Sequence, residues 1–140
     1  MTTLTNLPPI GPLWSIQADG TAVLGGNDAP VPVPSGQNVT LQDVIWNVPG
    51  PDGLTLRFRF IAPGIARESG EVDFETAVAD MMALCQGFAL PRLSEFGPTP
   101  AQVIISMSDV PVAFGEAAPD ATQFFEAFTI KDGTCVWEVY

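Results

Sequence analysis

Two cysteines, two arginines at alternate positions and a scatter of carboxylates are the side chains of this 140-residue chain whose types and spacing could do chemistry. Cys85 and Cys135 stand fifty positions apart, too far for a CxxC redox pair, and the chain has no histidine with which to complete a zinc site. A structural disulfide, two buried thiols and a reactive thiol are the three readings, and the disulfide leads. Cys85 lies on the apolar stripe of the one convincing helix, and Cys135 opens the last strand, just after the turn signal Lys131-Asp132-Gly133-Thr134. A cross-link over that span would contribute roughly 4 kcal/mol by loop entropy. It would also favour the periplasm or an extracellular compartment.

The absence of histidine removes Ser-His-Asp and Cys-His catalysis. Lys131, in a hairpin turn, is too exposed to serve as a base. Paired carboxylates could still do acid–base work, as in glycoside hydrolysis. Asp73, Glu75 and Asp80 gather around the start and polar side of the helix, where capping and the helix dipole account for them. Glu126 is less ordinary. Strand parity puts it on the helix-facing side between Phe124 and Phe128, at a rim or beside a basic partner. Arg57 and Arg59 share one face of a strand and are two of only five basic residues, so they form either an anion site or cross-strand pairs with Glu138. Phe96 and Phe114 fall in loops rich in proline and glycine, where they could rim a protein-binding patch. No GxxxxGK[ST], GxGxxG or EF-hand spacing occurs. No catalytic, cofactor-binding or metal-ligating residue is therefore expected.

The elements that must position these groups follow from length and pattern. The chain is long enough for one domain with a real core, and 46% of it is hydrophobic against 15% charged. A formal charge of −11 argues against nucleic acid or anionic lipid as partner and leaves a cationic protein surface open. No apolar run is long enough to cross a membrane. Met1 to Pro12 lacks the basic segment and apolar stretch of a secretory signal, so the protein is cytoplasmic or its targeting segment has been removed.

Leu54, Leu56, Phe58 and Phe60 alternate with Thr55, Arg57 and Arg59 in a strand with one apolar face. Asp73 caps a helix in which Phe74, Val78, Met81, Met82, Cys85 and Phe88 recur at helical spacing, with an end expected near Gly87, before Pro91. Gln102–Ser108 is a second strand. Thr122–Ile130 and Thr134–Tyr140 form a hairpin around Asp132-Gly133 that pairs Ile130 with Cys135, Phe128 with Trp137 and Glu126 with Val139. The fold class is α+β, one main helix on an antiparallel or mixed four-stranded sheet in the order β-α-β-β-β.

Residues 54–140 form this core domain, and residues 1–53 a Pro/Gly-rich N-terminal extension packed on it. Within the extension, Leu13 to Leu24 holds a possible small hairpin around Asp19-Gly20, Ala29–Gly36 is extended or polyproline-like, and Pro49–Gly53 is a turn. Thr40-Leu41-Gln42-Asp43 fits a capping box that would start one helical turn over Leu41–Trp46; an extended strand is the alternative. Parity sets Cys135, Trp137, Phe128 and Ile130 against the helix, with Trp137 packed in the core. Phe125, Thr129, Val136 and Tyr140 face the other way, on a second face too apolar for plain solvent. The extension covers part of that face and a partner could cover the rest.

The stretches VPVPSGQNVTLQDVIW, LTLRFRFIAPGIA, QVIISMSDVPVAFGEAAPDATQFFEAF and DGTCVWEVY resemble a small alphaproteobacterial family, some of whose members carry the label acetolactate synthase. The resemblance covers most of residues 31–140. It brings no catalytic residues to this chain, and it implies an export signal. A thiamine-diphosphate enzyme needs a far larger cofactor-binding assembly than is legible here. The expected function is a small exported, periplasmic accessory domain that binds another protein without catalysis. The rival is a small carboxylate enzyme or anionic-ligand-binding protein using Arg57 and Arg59.

Overall fold

The structure, a computed structural model, describes residues 14–16, 22–50, 53–66, 70–96, 100–113 and 118–138. The strands are β1 (Trp14–Ile16), β2 (Ala22–Pro30), β3 (Thr40–Gly50), β4 (Gly53–Ile61), β5 (Gln102–Ser108), β6 (Gln123–Lys131) and β7 (Thr134–Glu138), with apolar and polar residues alternating clearly in β4. They stand in one sheet in sequence order. Six have five residues or more, and β1 is a three-residue edge strand. Every neighbouring pair is antiparallel except β4 and β5, which run parallel. Parallel neighbours require a crossover, and the helix α1 (Phe74–Leu84) lies in it. The fold is therefore α+β, one main helix on a mixed sheet.

The expected four-stranded sheet is too small. The segment read as an extension supplies β1–β3, which continue the sheet from β4. Glycines and prolines hide the alternation there, and the registers shift between Gly25 and Ala29, Leu41 and Asp43, and Ile45 and Val48. Each shift breaks the period of two on which a strand is recognised. Thr40-Leu41-Gln42-Asp43 accordingly lies in a strand rather than a helical turn: Thr40 faces Ile61 and Leu41 faces Phe60. The hairpin expected from Leu13 to Leu24 is present as β1–β2; its turn, with Asp19 and Gly20, lies outside the described residues.

Asp73 adopts extended backbone and accepts the Thr76 N–H at 2.8 Å, as its side chain and position predict. The buried face of α1 is set by Ala77, Met81 and Leu84. This stripe is rotated from the expected one: Phe74 and Met82 are exposed, and Asp80 is buried instead. Gly87 does not end the helical path. A widened π-helical turn spans Cys85–Ala89, and a 3-10 segment follows over Leu90–Phe96. Pro91 is tolerated because it stands in the first turn of that new segment, where its missing N–H has no helical partner to lose.

One core fills the space between helix and sheet. Phe58 and Phe60 of β4 meet Phe88 edge-on, at ring-centroid distances of 6.1 and 5.7 Å. Val103, Ile105 and Met107 of β5 and Phe128 of β6 complete the floor. Edge-to-face aromatic contacts add about 0.5–1.5 kcal/mol each to the burial itself. The Arg92 guanidinium lies 4.4 Å from the Phe88 ring and closes this cluster on its outer side.

Candidate functional site

The β6–β7 hairpin holds the unusual surface. Its two-residue turn places Asp132 at φ 53° and Gly133 at φ 72°, the left-handed pair that gives a hairpin the right twist. Ile130 then faces Cys135 and Phe128 faces Trp137, the register expected from the sequence; Val139 and Tyr140 lie outside the described residues. Cys85 and Cys135 form a disulfide with a Cα–Cα distance of 6.2 Å, tying the end of α1 to the outermost strand. Beside it, Gln86 Oε1 accepts the Cys135 N–H at 3.0 Å.

Trp137 does not pack in the core, contrary to expectation: it is 39% exposed. β7 is the last strand of the sheet, so a side chain on it has only one neighbouring strand. Phe128, one strand inward, is the residue that is buried. The Trp137 indole Nε1 donates to Glu126 Oε1 at 2.7 Å. Glu126 is thus on the helix-facing side, as parity requires, and its partner is an indole rather than a cation. Phe74 of α1 stacks edge-on against Phe124 at 5.1 Å and stays half exposed. On the opposite face of the same hairpin, Phe125 is 66% and Val136 41% exposed. Large apolar groups therefore open to water on both faces of one short hairpin.

The arginines lie elsewhere on that opposite face. Ser106 is the neighbour of both Arg59 and Phe125, which fixes the shared side. Arg59 makes a two-pronged ion pair with Asp43 of β3, Nε to Oδ1 at 2.7 Å and Nη2 to Oδ2 at 2.8 Å, and both residues are buried. The expected carboxylate was Glu138, which instead accepts from Gln102 Nε2 at 2.7 Å. Sequence reading missed Asp43 because a bulge at Gln42 turns the carboxylate onto the arginine side; Gln42 itself donates to the Val112 carbonyl at 2.9 Å. Arg57 is half-buried, and its Nε has no hydrogen-bond partner. Burial, reinforced by the Arg59 charge, pulls its guanidinium below the usual value.

A second missed group is Asp80, fully buried on α1. It accepts the Ser35 N–H at 3.0 Å, the Ser35 hydroxyl at 2.5 Å and Gln37 Nε2 at 2.7 Å. Capping and the helix dipole do not account for Asp80: this carboxylate clamps the β2–β3 connection onto the helix. A cleft of about 440 Å³ lies beside it, lined by Ser35, Gln37, Gly64, Glu71 and Thr76.

Phe96 ends the 3-10 segment, but its side chain lies outside the described residues, as does Phe114 altogether. Of the other candidates, Arg57 and Arg59 lie on the face of the sheet opposite Glu126, so the structure does not bring them together with it. Among the described residues no group of three or more acidic or cysteine side chains could hold a metal ion. Among them, too, no helix is long and apolar enough to cross a membrane. No curated protein and no solved structure matches the chain. A family model does match, over residues 15–140, and by that match the chain belongs to the family of unknown function DUF6497.

Proposed function

We propose that this protein is a small exported accessory domain that binds another protein through the β6–β7 hairpin and the adjoining side of α1. The carrying observation is the exposure of Phe125 and Val136 on one face and Trp137 on the other, all at the edge of the sheet. Isolated apolar side chains on a surface need no explanation, but several on both faces of a two-stranded edge do. Tryptophan and phenylalanine are the residues that anchor protein interfaces. The disulfide supports residence in an oxidising compartment such as the periplasm.

The test is affinity capture from the native cell envelope with the intact chain, run in parallel with the double variant Phe125→Asp/Val136→Asp. A partner retained by the parent and lost by the folded variant supports the reading. Equal recovery by both, or no specific partner, removes it. Mapping thiols in the same fraction tests the compartment: a reduced Cys85 and Cys135 pair in native material contradicts export.

The unpartnered Arg57 Nε favours a second reading, binding of a small anionic ligand on the arginine face. Arg59 contributes little to it, since Asp43 already neutralises that guanidinium. Calorimetric titration with phosphate and with succinate decides. Binding that Arg57→Gln abolishes would favour the ligand reading; no heat with either would end it.

A further inference from the structure

Among the described residues the outer edge of β7 is an open hydrogen-bonding edge, and its surroundings specify what can pair with it. Main-chain polar groups alternate sides along a strand. The Cys135 N–H points away from β6, because it is taken by Gln86 of the helix. The N–H of Trp137, two residues on, points the same way. Among the described residues nothing bonds it, and no strand lies beyond β7. Gln86 therefore stops the edge at Cys135, and the Trp137 N–H, unbonded among the described residues, sets where an added strand can begin. The exposed Trp137 and Val136 side chains flank that point on opposite faces, where alternate side chains of an added strand would lie.

Charge selects the occupant. The chain carries −11, and Glu126 and Glu138 both stand at this end of the hairpin. A second copy would bring another −11 to the contact. We infer that the partner supplies an extended segment of alternating basic and apolar residues, which adds as an eighth strand along Trp137. This rests on the protein-binding reading above and specifies its chemistry.

The test uses the full, oxidised, isotope-labelled chain and three synthetic probes: acetyl-(KV)4-amide, acetyl-(EV)4-amide, and acetyl-(KV)4-amide with its valine nitrogens methylated. The basic peptide should bind and slow exchange of the Trp137 backbone N–H about tenfold, while N-methylation weakens binding by about the same factor. The acidic peptide should not bind. Trp137→Pro removes the outward N–H without touching the β6 ladder, so it should weaken binding about tenfold beyond Trp137→Ala. An intact disulfide and melting transition in both variants shows that the hairpin has formed.

Binding of the basic peptide with unchanged Trp137 exchange and equal affinity for the methylated probe would overturn strand addition, yet leave the hairpin as a protein-docking surface. Concentration-dependent sedimentation with Trp137 already protected would make a second copy the occupant and overturn the inference. No binding by either lysine peptide would also overturn it, and the envelope capture would then judge the broader reading alone.

Discussion

The helix-facing side of β3–β5 and the β6–β7 hairpin are built from similar residues and end in opposite states. Under the helix, Phe58, Phe60 and Phe88 are buried and in mutual contact. Two buried carboxylates are paired: Asp80 takes Ser35 and Gln37 beside the helix, and Asp43 takes Arg59 on the far face of the sheet. In the hairpin, Phe125, Val136 and Trp137 remain open to water, and a tryptophan uses its N–H on an exposed carboxylate. Position in the sheet makes the difference, not composition. A central strand has neighbours on both sides and a helix above; Val136 and Trp137 stand on the last strand with one neighbour, and Phe125 of β6 points to the face that the helix does not cover. Stability should therefore concentrate in the first region and recognition in the second.

Phe88→Ala tests that division most severely. It removes the ring shared by Phe58 and Phe60 and should cost about 3–5 kcal/mol in urea unfolding. A loss near that of Trp137→Ala would erase the contrast. Replacing Cys85 and Cys135 together by alanine should cost about 4 kcal/mol, since the link closes a loop of about fifty residues in the unfolded chain. The folded hairpin should keep its register, checked by cross-strand nuclear Overhauser contacts. If the hairpin detaches, the disulfide holds the recognition surface in place as well as restricting the unfolded chain.

Asp43→Ala removes the carboxylate paired with the buried Arg59 and should cost about 3 kcal/mol by the same unfolding assay, whereas Asp43→Leu with Arg59→Met should recover most of it. Failure of the double variant to recover would show that the pair's other contacts matter more than its charges. Trp137→Ala should cost only about 1 kcal/mol, because much of the side chain is already hydrated. A loss above about 3 kcal/mol would return Trp137 to the core and weaken the docking reading.

The smallest effect concerns Asp73. Its bonds from Thr76 hold its carboxyl below the usual range. A carboxylate depressed in the folded state contributes above its unfolded pKa of about 3.9, and that contribution fades as pH falls through the lower folded value. Asp73→Ala should lower the thermal midpoint at neutral pH, and the gap from the parent should close on acidification below about pH 4. A gap independent of pH would mean that the cap acts through shape rather than charge.

Much of the hairpin was legible because a two-residue Asp-Gly turn fixes register locally; Phe128 opposite Trp137 follows from counting outward from Asp132 and Gly133. Which of the two would be buried was not, for that depends on which strand forms the edge. The arginine face was legible from alternation in β4, but the identity of its carboxylate was not. Asp43 reaches Arg59 only because β3 carries a bulge, and a bulge has no period to detect.

The sequence by itself determined the strand–helix–strand order after Leu54, the Asp73 cap, the hairpin register and the absence of a histidine-based site, all properties of short windows or of composition. Only the tertiary structure decided that residues 22–50 continue the sheet, that Asp80 is a buried clamp, that the cysteines meet, and that Trp137 stands at an open edge. The Asp80 clamp and the disulfide depend on partners 45 and 50 positions away, and the course of β2 and β3 depends on register shifts that interrupt the local pattern. Burial and pairing are set by which distant neighbour arrives, and no local periodicity records that.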